Sequence, residues 1–100
     1  MPAPDRHTEA QRAIARQVAL RLGILIRRAR VSQGRRQREV AARAGISRNL
    51  LSLIEHGRRM PSLMVMVGLT ATLALRMTFV PAAAGGSQCG PPEELVTPVA

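Results

Sequence analysis

Ile14, Val18, Leu22, Leu25 and Ala29 step along the chain by four, four, three and four. That spacing predicts one apolar stripe on a helix. Ahead of it, Thr8-Glu9-Ala10-Gln11 reads as a capping box, in which the hydroxyl caps the helix and Gln11 reaches back. The predicted helix runs from residue 8 to about 32. Within it only Gly23 is a poor helix former, costing ~1 kcal/mol relative to Ala. Arg12, Arg16, Arg27 and Arg30 lie mostly off the stripe. At ~1.5 Å per residue this helix is roughly 37 Å long, more than so small a domain can cover. Its first half, to about residue 19, is therefore expected to overhang or to meet a partner.

Gln33-Gly34 ends that helix and a second is predicted over 37–44, with Val40, Ala41 and Ala44 on one side. Gly45 follows as a left-handed stop. Ile46 is an apolar turn residue, and Ser47 is a good N-cap for a third helix over 48–56. Leu50, Leu51 and Ile54 form its apolar set. Gly57 closes it, and 58–61 is a loop. Ser62 caps a fourth helix predicted from 63 to about 75. Met77-Thr78-Phe79-Val80 has strand character before Pro81. Residues 1–7 are expected to be a disordered lead and 81–100, rich in Pro and Gly, a disordered tail. The folded domain is thus expected over 8–80.

Composition narrows the class. One hundred residues allow one small domain. Hydrophobic residues are 46%, too many for a fully disordered chain. Aromatic residues are 1%, so the stacking platforms of single-strand binders cannot be built. Net charge is +9, and every positive residue is Arg. Arg27, Arg28, Arg30, Arg35, Arg36, Arg38, Arg43, Arg48, Arg58 and Arg59 crowd the middle of the chain, opposed there only by Glu39 and Glu55. A solvated face is the plain reading of a charge run, but so lopsided an excess favours a phosphate-binding surface.

Two short helices, a glycine turn and a serine cap describe a helix-turn-helix over 37–56. Such a unit works by lodging the first turn of its second helix in the major groove. Arg48, Asn49 and Ser52 are the polar residues there, while Leu51 and Ile54 face inward. The helix starts at Gln37 and Ser47 also offer backbone N–H groups to phosphates.

These residues resemble a known family. Gln37-x-Glu39-Val40-Ala41-x-x-Ala44-Gly45-Ile46-Ser47-Arg48-Asn49-x-Leu51-Ser52-x-Ile54-Glu55-x-Gly57-Arg58-Arg59-x-Pro61-Ser62 is similar to the Cro and phage-repressor helix-turn-helix, the XRE family. The likeness extends from Leu22 to about Leu75. It implies an all-α, lambda-repressor-like domain of four or five helices that binds double-stranded DNA. It also implies that Arg48, Asn49 and Leu53 take the base-reading positions and that Gln37 braces the phosphate backbone. Arg43, His56, Arg58 and Arg59 take its other backbone positions, and Arg30 and Glu55 form a partly buried ion pair. Ser52 is placed to bond a phosphate or its own backbone.

The chain departs from the family in two places. Arg35-Arg36 stands where an apolar plug and a Ser or Thr cap are usual, although both arginines can be expected to reach phosphate. The fourth helix carries Met64, Val65 and Val67 where the family tends to be polar. A helix apolar nearly all round is buried on more than one side, so a second copy of the chain is the expected cover, bound to a palindromic operator. The ending over 71–80 is similar to the helix-then-strand finish of HigA-type antitoxins, which makes a toxin protein the alternative partner.

No enzyme is expected. His56 beside Glu55 has no nearby nucleophile, and Asp5, Glu9, Glu93 and Glu94 form no paired-carboxylate or metal spacing. Cys89 alone makes neither a disulfide nor a cysteine-rich zinc site. The methionines read as core filler. No cofactor, signal peptide or membrane span is expected, and the setting expected is the cytoplasm.

Overall fold

Four helices make up the part of the chain that the computed structural model describes, residues 6–82: α1 (Glu9–Ser32), α2 (Gln37–Ala44), α3 (Arg48–Glu55) and α4 (Leu63–Leu73). Most of the expected lead (1–5) and tail (83–100) lies outside the described residues. The capping box forms as the sequence predicts. The Thr8 hydroxyl accepts from the Gln11 N–H at 3.0 Å, and the Gln11 side chain accepts from the Thr8 N–H at 2.8 Å.

All four helices end in one way, with a residue in the left-handed region: Gly34, Gly45, Gly57 and Ala74. After α2, the Gly45 N–H donates to the Ala42 carbonyl and the Ile46 N–H to the Ala41 carbonyl. This Schellman pattern satisfies carbonyls that the helix leaves orphaned, and glycine adopts its φ of 77° freely. Ala74 holds the same conformation, φ 57°, against its own Cβ, at a cost of ~1 kcal/mol. That turn ends α4 two residues earlier than predicted, and His56 is the C-cap of α3 rather than its last residue.

The core is aliphatic. Ile26, Val40, Ala41, Leu51, Ile54, Leu69 and Leu73 are fully buried together, one set from every helix. Each large aliphatic side chain so buried contributes ~1.5–3 kcal/mol. α2 packs on α4 and on α3, and α1 lies across α3. Backbones approach closely at two glycines. A Cβ on Gly23 would sit 2.3 Å from the Ile54 carbonyl oxygen, and one on Gly68 would sit 2.7 Å from that of Ala44. Gly23 is thus the position at which α1 crosses the end of α3.

Two expectations change here. The stripe Ile14-Val18-Leu22-Leu25-Ala29 is not the core face of α1. Ile14 is 62% exposed and Leu25 53%, while Ala19, Gly23 and Ile26 face the core. Leu22 and Ala29 lie half-buried at its edge. The expected strand at 77–80 does not form, and the described residues contain no strand. A strand needs a neighbouring ladder for its N–H and C=O groups, and an otherwise helical domain supplies none. Phe79 is left 88% exposed.

Candidate nucleic-acid interface

α3 has two unlike faces. Leu51, Ile54 and Glu55 turn inward and are buried; Arg48, Asn49 and His56 are exposed, and Ser52 and Leu53 are half-buried beside them. The Ser47 hydroxyl accepts from the Leu50 N–H at 3.0 Å, which fixes where the helix starts. His56 Nδ1 lies 2.7 Å from the Ser52 carbonyl oxygen, which as a carbonyl can only accept. The Ser52 carbonyl thus orients the ring.

A buried polar cluster sets the angle of α3. Arg30 grips Glu55 with two bonds, Nε to Oε2 at 2.7 Å and Nη2 to Oε1 at 3.0 Å. Their side chains are 13% and 1% exposed. Arg30 Nη1 also donates to the Arg35 carbonyl at 2.9 Å, and Gln37 Nε2 donates to Glu55 Oε1 at 3.0 Å. One carboxylate thereby ties α1, the following turn and α2 to α3. Among the described residues no buried side-chain polar atom lacks a partner. The fork geometry of Arg suits this role, since it satisfies both carboxylate oxygens at once.

Several clefts border α3, and two of them take in Arg48, Ser52 and Leu53. The first, of about 510 Å³, is lined by Arg30, Arg36, Gln37, Arg38 and Arg48. It gathers three arginines at the N-termini of α2 and α3, where free backbone N–H groups add to the positive field. The second, of about 280 Å³, is lined by Ser52, Leu53, His56 and Arg58. Arginines line both, three at the helix starts in the first and Arg58 in the second, so each can attract an anion.

Residues 26–80 match the helix-turn-helix family HTH_3. The chain belongs to this family, the XRE/Cro type of DNA-binding transcription regulator. Its fold is similar to that of the restriction-modification controller protein C.AhdI from Aeromonas hydrophila, with a TM-score of 0.58. That likeness has 24% sequence identity and covers 61% of this chain and 88% of the other. No curated protein matches the chain.

Within this XRE-type protein the residues singled out from sequence are only partly brought together. Arg36, Gln37 and Arg48 meet in the first cleft and Ser52, Leu53, His56 and Arg58 in the second. Asn49 is exposed on α3 between them, Ser47 caps that helix, and Arg30 and Glu55 pair as the family resemblance implies. Arg43 and Arg59 are exposed but line neither cleft. Gln37 differs from expectation in one respect, since its amide nitrogen is already engaged with Glu55.

Arg35 is a correction. Its guanidinium turns to the end of α4, where it donates to the Thr72 carbonyl, and it lies 3.6 Å from Glu39. Gln33 donates to the next carbonyl, that of Leu73, at 2.9 Å. Together they satisfy the orphan carbonyls of α4. The plug missing from the sequence is thus replaced by a long cation that reaches the negative end of a neighbouring helix. Arg36 caps α2 with its backbone alone and has no side-chain bond to the helix, as the missing Ser or Thr predicts. Arg38 was not singled out, yet it borders the first cleft. Its signal was its place in the first turn of α2, among the arginines of the charge run.

Proposed function

We propose that the protein is a sequence-specific repressor that binds double-stranded DNA as a homodimer, with α3 in the major groove. The outward face of α3 carries this reading: Arg48 and Asn49 are free to reach base edges while the opposite side of the helix is locked into the core. Arg48 and Asn49 read bases, and Leu53 meets a thymine methyl. Arg36, Arg43, Arg58, Arg59 and His56 hold phosphates, with Gln37, Ser47 and Ser52 at the edges of the clefts. The outer face of α4 supports a dimer. Leu63, Met64 and Val67 stand exposed there, Met64 by 78%, and a second copy would cover them. Two recognition helices so related read half-sites ~34–36 Å apart.

Selection of bound duplexes from a random DNA pool tests the reading, and a palindromic consensus is the result expected. Arg48→Ala should then lose ~1–3 kcal/mol on the selected site and far less on random duplex. Equal losses on both would reduce Arg48 to a phosphate contact.

A second reading, an antitoxin that also represses its own operon, draws on the exposed, unpaired segment 77–80, which includes Phe79. Such a segment can add to the sheet edge of a toxin. A toxin-sized reading frame beside the gene, whose product co-purifies with the chain and is lost on deleting 77–80, is its expected signature.

A further inference from the structure

We propose that the overhanging first half of α1 is a second DNA-contacting element, an arm that lays Arg12 and Arg16 on the phosphate backbone outside the half-site read by α3. The inference rests on the DNA-binding reading above and adds a site to it. Residues 9–18 lie outside the matched helix-turn-helix domain, which begins at residue 26, and every one of them is exposed. The helix is nonetheless well started, through the Thr8–Gln11 capping box.

Its position follows from two close contacts. Gly23 meets the last carbonyls of α3, and Gly57, just past α3, sits against Leu20: a Cβ there would lie 2.5 Å from Leu20 Cδ2. The next residue, Arg58, lines the cleft shared with Ser52, Leu53 and His56. Leu20 therefore marks the edge of the DNA-facing surface. From Leu20 the same helix row runs back through Arg16 to Arg12, about 6 and 12 Å further along the axis. Where α3 ends, the face of α1 that packed on it changes from Ala19 and Gly23 to arginines.

The chemistry on that row selects the occupant. A protein partner would be met by the apolar stripe of Ile14 and Val18, which lies on a different side of the helix. The row itself offers two guanidinium groups, 57% and 64% exposed. Glu9 lies 3.6 Å from Arg12 and 3.2 Å from Arg16. Exposed pairs of this kind hold weakly, so phosphate oxygens can displace the carboxylate. Phosphate contacts carry no sequence information, so the arm adds affinity and salt dependence without sequence preference.

The test uses the full chain, a selected duplex with long flanks, the same site with its flanks trimmed, and a random duplex. The double variant Arg12→Gln/Arg16→Gln should lower the slope of log affinity against log salt by about two on the long duplex. The gap between wild type and variant should accordingly narrow about tenfold between 50 and 200 mM salt. On the trimmed duplex the two should bind alike, and the preference for selected over random sequence should be unchanged. An unaltered slope on the long duplex overturns the arm, as does a variant whose only change is its oligomeric state, which would make the row a protein contact. Failure of the wild-type chain to bind any duplex would instead overturn the DNA-binding reading itself.

Discussion

The two halves of α1 belong to one unbroken helix and differ in almost everything else. From Gly23 to its end the helix is anchored: Gly23 touches the α3 backbone, Ile26 is fully buried and Arg30 holds Glu55. Over residues 9–18 it is held only by its cap and by exposed pairs to Glu9. Yet the free half carries side chains as apolar as those of the anchored half. The difference teaches that hydrophobic spacing locates a helix face, while close approach and buried pairing decide which face the fold uses.

The ion pair should give the largest separation between the halves. Glu55→Ala leaves Arg30 buried with its main partner gone, and Gln37 loses its acceptor as well. The expected loss is ~3–5 kcal/mol, much of the stability of a domain this size. Urea unfolding followed by far-UV circular dichroism reads it, since the chain has no Trp or Tyr for fluorescence. Glu9→Ala, which breaks two pairs in the free half, should move the midpoint hardly at all. Comparable shifts for the two would mean that both halves are anchored alike.

Matched isoleucines sharpen the contrast. Ile26→Ala removes a side chain that is 1% exposed and should cost ~2–5 kcal/mol. Ile14→Ala removes one that is 62% exposed, and should stay within about 0.5 kcal/mol of wild type. A large loss at Ile14 would show that the free half is covered in solution, and sedimentation would then show whether a second copy covers it.

Gly23→Ala should fall next, at ~1–3 kcal/mol, because the added methyl meets main-chain carbonyls of α3 that cannot swing aside. On helix propensity alone the same change would stabilise by ~1 kcal/mol. The sign of the measured shift therefore decides whether contact or propensity rules at the crossing.

That crossing also shows where the sequence stops being legible. The end of α2 was readable because Gly45 acts within a few residues of itself, the start of α3 because Ser47 does, and the start of α1 because Thr8 and Gln11 do. The outward face of α3 was legible for the same reason: Ser47, Leu51 and Ile54 set it within one short stretch. The core face of α1 was not. Its markers are Ala19 and Gly23, small residues that weigh little in a hydrophobic pattern, and Ile26 sits in the run 22–26, where periodicity cannot choose a side. Arg35 was opaque for a different reason. It looks like a lost plug until α4, with the Thr72 carbonyl 37 positions away, is seen beside it. The segment 77–80 has the composition of a strand, but pairing depends on a neighbour that this domain does not contain.

Thr8→Ala should have the smallest effect on global stability and the most local one. The hydroxyl satisfies one orphan N–H at the start of α1, and an N-cap of this kind is worth ~1 kcal/mol to its own helix. Because residues 9–18 are all exposed, that loss should fray the first turns without touching the core. Amide hydrogen exchange should accelerate about fivefold over the first three turns and stay unchanged beyond Gly23. The urea midpoint should not move. Acceleration that spread past Gly23 would show the halves to be coupled through the helix itself, and the anchored half would then owe part of its order to the cap rather than to Glu55 and α3.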